Sequence, residues 1–187
     1  KQGKNYLDCN LVIAPAIFEE KLIKKCFEKA KELGFKNLYL DLPKVARTKD
    51  YEKLSKIIIS LPQEIGLIAN NIYGLNFCLD GTKREVVGGA YLNIANNFSA
   101  KVLSEFNIKY FVKSFEHFAC DFNKGLAFEG KPALMTFCHC PYKTIYQNSL
   151  CSECKFTGSL TYKNDAGEEF SIRRKKMHFC VFTLFTI

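Results

Sequence analysis

Short apolar runs alternate with longer amphipathic stretches through the first two-thirds of this chain, and no other feature limits its fold so tightly. LVIAPAI (11–17), broken by Pro15, reads as the carboxyl end of a buried parallel strand. Residues 19–33 then place Leu22, Ile23, Cys26, Phe27, Ala30 and Leu33 on one face at helical spacing, and Gly34 stops the helix. NLYLDL (37–42) is the next strand and YEKLSKIII (51–59) the next helix. IGLIAN (65–70) and GAYLNI (89–94) read as strands, FSAKVLSEF (98–106) as a helix and KYFVKS (109–114) as a fifth strand. Strand and helix in alternation imply a parallel α/β sheet with helices packed on it.

The spacing of these units suits either a barrel or an open doubly wound sheet. Five or six strands do not close an eight-stranded barrel, which takes about 250 residues, so the expected architecture is a partial TIM-barrel-like set of βα units. No glycine-rich phosphate loop follows any strand, which argues against a dinucleotide site. From residue 131 the rhythm changes. PALMTF is an apolar strand that runs into cysteines, LTYK and EFSIR flank Asn164-Asp165-Ala166-Gly167 as a hairpin, and CVFTLF (180–185) is a last strand. The expected division is 1–130, the partial barrel, and 131–187, a small β-rich cysteine lobe. No linker separates them, so they are expected to pack as one unit.

With 48% hydrophobic residues the chain can build a core, yet no run approaches the roughly 18 apolar residues of a membrane helix. Residues 1–10 lack the apolar stretch of a signal peptide and there is no initiator Met, so the chain is read as part of a longer protein whose remainder is a partner. Nine cysteines without an export signal favour a reducing, cytoplasmic setting over a disulfide framework. Cys9, Cys26, Cys78 and Cys120 lie among apolar residues and read as core thiols. The net charge of +8 is compatible with a polyanionic partner such as RNA, and Arg173, Arg174, Lys175 and Lys176 form a basic run near the cysteines.

Five cysteines fall in the last third. Cys140, Cys151, Cys154 and Cys180 give C-x10-C-x2-C-x25-C, whose Cys-x-x-Cys step is the bite used by zinc and iron–sulfur centres. Spacing does not separate the two metals, and buried free thiols are the plain alternative. Lys143, Lys155 and the basic run could favour thiolates. Cys138 competes with Cys140, since in a strand both would point to one face; Pro141, marking the strand end, favours Cys140. His139 and His178 are further options. Elsewhere, Asn93, Asn96 and Asn97 stand at the carboxyl end of one expected strand, and Ser114, Glu116 and His117 at the end of the next. Sheets of this class place their sites there, and a carboxylate beside a His could do acid–base work. The asparagines could equally cap the following helix. HExxH and the local signatures of nucleophilic hydrolases are absent from the sequence.

Two stretches resemble a known family. GAYLNIANNFSAKVLSEFNIKYFVKSFE looks like a strand ending in Leu-Asn-x-x-Asn, a helix, and a strand ending in Ser-x-Glu. PALMTFCHCPYK, CSEC, LTYKNDAGEEFSIRR and the final Cys-x-Phe resemble its cysteine segment. Both patterns belong to peptidase family U32, the collagenase-like proteases. The resemblance implies a barrel-like α/β fold, a peptidase label, and kinship with members that hold a [4Fe–4S] cluster and support oxygen-independent hydroxylation of RNA or quinone. It implies Cys140, Cys151, Cys154 and Cys180 as cluster ligands and Glu116 as the Ser-x-Glu carboxylate. On this reading Asn93, Asn96, Arg173 and Arg174 contact an RNA or peptide substrate. A protease, or a zinc-stapled interaction module without catalysis, are the alternatives.

Overall fold

The computed structural model describes residues 9–79, 83–108, 110–116, 125–126, 131–147, 151, 154 and 159–187. Its chain divides into two units, Lys1–Pro15 with Glu19–Glu129, and Ala16–Phe18 with Gly130–Ile187. The fold is mixed α/β: one unit carries a parallel sheet, the other a separate antiparallel sheet.

The first unit runs β1 (Asn10–Ile13), α1 (Glu20–Glu32), β2 (Asn37–Asp41), α2 (Thr48–Ser60), β3 (Gly66–Ala69), α3 (Ile72–Leu79), β4 (Val86–Gly88), a short 3-10 turn (Ala90–Leu92), α4 (Asn97–Glu105), β5 (Tyr110–Val112) and β6 (Gly125–Leu126). All six strands are parallel and lie in the order β1-β2-β3-β4-β5-β6. A consecutive order whose crossovers share one hand puts the helices on one face of the sheet. Burial agrees with that placement. Leu38, Leu40, Leu67, Ala69, Val86 and Phe111, which alternate onto one face, are buried, as are Ile23, Phe27 and Ala30 of α1 and Leu54, Ile57 and Ile58 of α2. On the opposite face Val12, Tyr110 and Leu126 stay 47%, 47% and 49% exposed. That face lines an open cavity of about 520 Å3, in which the Tyr39 hydroxyl donates to Glu85 Oε2 at 2.7 Å.

Four sequence expectations are corrected here. The first strand ends at Ile13, because Pro15 has no N–H for the ladder; Ala16–Phe18 instead pairs with Lys176 of the second unit. The fourth strand is Val86–Gly88, not 89–94, since the chain coils at Ala90–Leu92 and Asn93 takes a left-handed φ of 56°. Helix α3 was not expected: IYGLNFCL has no charged face to mark it. Gly74 lets it lie close on β3, where an added Cβ would stand 3.1 Å from Ala69 Cβ. Cys9, just before β1, and Cys26 are exposed rather than core; for Cys26 the reason is that the buried stripe of α1, Ile23, Phe27 and Ala30, is narrower than its apolar residues suggested. Cys120 and the Cys78 side chain lie outside the described residues.

The second unit runs β7 (Met135–Phe137), α5 (Pro141–Ile145), β8 (Ser159–Lys163), β9 (Glu169–Lys176) and β10 (Cys180–Thr186). The strands form an antiparallel sheet in the order β7-β10-β9-β8. The expected hairpin is there: β8 and β9 pair through Lys163 and Glu169, around a turn in which Gly167 has φ +83°. On one face Ile172 and Phe182 are buried, with Phe137 stacked on Phe182 at 5.6 Å between ring centroids. No helix among the described residues is long and apolar enough to cross a membrane.

Candidate metal centre and the strand-end residues

In the second unit, Pro141 starts α5 with Cys140 as the residue before it, and β7 has already ended at Phe137. Cys138 and Cys140 therefore leave the strand before either could act as a strand residue. Cys140 is half-buried and Cys138 exposed. Cys140, Cys154 and Cys180 pack together against the core of Ile172 and Phe182. The Arg174 guanidinium joins them, donating from Nη1 to Cys154 Sγ at 3.3 Å. Burial pushes the Cys180 thiol above its ordinary value; Arg174 and, more weakly, Lys176 pull it down, while Cys140 and Cys154 push it up. Cys180 thus lies within reach of the charge of the other two thiols.

Cys151 is exposed. Among the described residues no three His, Cys, Asp or Glu side chains stand in an arrangement that could hold a metal ion. The donor types fit a thiophilic metal, and the arrangement around them is open. A cavity of about 640 Å3 opens beside Cys140, lined by Cys138, His139, Lys143, Thr144 and Gln147. His139 Nε2 meets Thr144 Oγ1 at 2.7 Å, and Thr144 Oγ1 donates to the Cys140 carbonyl at 3.1 Å. His178 is exposed in the turn between β9 and β10. Lys155 lies outside the described residues.

The basic run is divided by strand alternation. Arg174 turns to the cysteine face, whereas Arg173 is exposed with its guanidinium 4.8 Å from the Phe185 ring. Sequence reading treated the two as equivalent; the period of two in EFSIRR was the signal that separates them.

In the first unit the carboxyl ends of the strands carry the other candidates. Ile94 bridges Lys113, and Ser114 N–H donates to the Ile94 carbonyl at 3.0 Å. This pairing brings Asn93 to Ser114, whose hydroxyl donates to Asn93 Oδ1 and accepts from the Glu116 N–H at 3.1 Å. The Glu116 side chain is exposed. Asn96 caps α4, its Oδ1 accepting from Ser99 N–H at 2.9 Å, as the capping alternative anticipated. His117 lies outside the described residues. Sequence reading missed a neighbouring pair. Asn70, 4% exposed, donates to Asp41 Oδ1 at 2.6 Å and to the Leu42 carbonyl at 2.7 Å. Both residues end strands, in NLYLDL and IGLIAN, and that position was the available clue. Lys44, three residues after Asp41, has its Nζ 3.4 Å from the Tyr91 ring centroid.

No protein-family model, curated protein or solved structure matches this chain.

Proposed function

We propose that this chain is part of a U32-type, partial TIM-barrel protein whose Cys140, Cys151, Cys154 and Cys180 bind a [4Fe–4S] cluster used in oxygen-independent hydroxylation of RNA or a related substrate. The observation that carries the reading is the gathering of Cys140, Cys154 and Cys180 on one sheet face with a guanidinium on Cys154. Three thiols packed against one small cluster, one of them hydrogen-bonded to a guanidinium, support that reading over thiols dispersed through the fold. The barrel part draws support from six parallel strands in consecutive order with helices on one face.

A cluster at this place supplies one-electron chemistry. The chain's own residues hold and tune it. Cys140 arrives from the turn before α5, Cys151 and Cys154 from the Cys-x-x-Cys step of the sequence, and Cys180 from the start of β10. Exposed Arg173, spread over Phe185, offers charge and a stacking plane to a nucleotide. Glu116, held at its backbone by Ser114, is the carboxylate assigned to proton transfer.

A zinc staple is the second reading, favoured by the thinness of this core, in which Ile172 and Phe182 are the buried pair. Iron, sulfide and zinc assays on anaerobically purified protein decide between them. Iron with sulfide and a broad absorbance at about 400 nm, both lost in Cys154→Ala, is the expected result. A colourless protein with stoichiometric zinc would sink the cluster. Peptide hydrolysis that survives Cys151→Ala and Cys154→Ala but disappears in Glu116→Ala would favour the protease instead.

A further inference from the structure

Resting on the metal-centre reading above, we propose that Arg174 is the charge-compensating residue of the thiolate centre and not a contact for substrate. In the β9–β10 ladder Arg174 stands opposite Phe182, Ile172 opposite Leu184 and Lys176 opposite Cys180. Alternation therefore puts the Arg174 side chain in one row with Ile172, on the face that carries Cys180, Phe182 and Leu184. This is the face whose core is Ile172 and Phe182, bordered by Cys140, Cys154 and Cys180. A guanidinium among apolar side chains loses hydration and needs a partner there. Arg174 donates to Cys154 Sγ at 3.3 Å.

The chemistry explains why an arginine is placed at that point. A tetrathiolate centre, with zinc or with iron and sulfide, carries net negative charge in a half-dry site. Donors to the sulfurs and a fixed positive charge beside them stabilise that charge, and they set how readily the centre takes an electron. Arginine suits the task because its guanidinium is planar, always charged and weakly hydrated, so it can lie against a core where an ammonium would seek water. Arg173, its sequence neighbour, points to the other face and stays available to solvent.

The test compares the full chain with Arg174→Met, Arg174→Lys and, as a control on the opposite face, Lys175→Met. Each is reconstituted anaerobically with iron and sulfide and, separately, loaded with zinc. Arg174→Met is expected to keep its circular dichroism yet release metal to a chelator roughly 10- to 100-fold faster, the usual effect of losing an outer-sphere partner. Its cluster is also expected to have a lower reduction potential, since a neighbouring positive charge that favoured the added electron has gone. Arg174→Lys should fall between, keeping the charge without the planar fork, and it carries the test if the Met variant misfolds. Lys175→Met should match the parent. Equal release rates and equal potentials in parent and Arg174→Met would overturn the proposal while leaving the metal centre standing. A parent that takes zinc but no cluster removes the iron–sulfur reading, and zinc release then judges Arg174 alone. A parent that takes neither metal ends both.

Discussion

At Arg84 one buried guanidinium gathers four carbonyls from α2 and the turn after it, of which Ile58 and Pro62 also accept a backbone N–H from Leu61 and Ile65. It donates to Ile58 at 2.8 Å, Leu61 at 2.6 Å and Ile65 at 3.1 Å, and also to Pro62, while the residue is only 6% exposed. Burial lowers its pKa below the ordinary arginine value. Arg84→Met is expected to cost about 2–3 kcal/mol in urea unfolding, because charged hydrogen bonds are lost and acceptors are left buried. Nothing in Thr82-Lys83-Arg84-Glu85 separates this arginine from the lysine before it; the distinction lies in which side chain the segment leading into β4 turns inward. Tyr39 makes a second case. Burial first, and its hydrogen bond to Glu85 next, raise its pKa from 10.0 to about 12. The neutral phenol is thus favoured in the folded state. Its contribution is complete below pH 10 and is lost as pH rises toward about 12. Tyr39→Phe should flatten that part of the alkaline stability profile, measured by unfolding across the same pH window.

Elements were readable where a periodic pattern met a clear stop signal. Helix α1 is bounded within a residue of its sequence reading, and the β8–β9 hairpin lies where Asn-Asp-Ala-Gly placed it. The pattern failed around β4, because VVG is too short to show a period and the apolar residues after it belong to a 3-10 turn. What sets the turn is close approach at Gly89, where an added Cβ would meet Asn70 Oδ1 at 2.1 Å. Asn70 cannot give way without breaking its bonds to Asp41 and Leu42. Gly89→Ala is therefore expected to destabilise the first unit by about 1–3 kcal/mol, read by thermal melting. At α4, Asn96→Ala should cost about 1 kcal/mol through loss of the helix cap. If Asn96 also binds substrate, that variant would raise KM beyond what its stability loss explains.

Across the whole molecule, the two units divide their duties by the source of their stability. The parallel sheet has a deep core of helix and strand side chains, while the second unit buries fewer, Phe18, Ile172, Met177, Val181 and Phe182, with three thiols packed against Ile172 and Phe182. Metal removal should therefore act unevenly. Hydrogen exchange after chelation is expected to speed up in β9 and β10 and to stay slow in β2 and β3; uniform protection before and after would argue against a metal in the cysteine face. The alternation of strands and helices, the change of rhythm near residue 131, and the Cys-x-x-Cys spacing were all determined by the sequence alone, because periodicity and turn chemistry are local. Which arginine faces the sulfurs, which asparagine caps a helix and which ends beside Ser114 were decided only by the tertiary structure. Those outcomes depend on strand register and on close approaches between segments distant in the chain, and no local pattern encodes either.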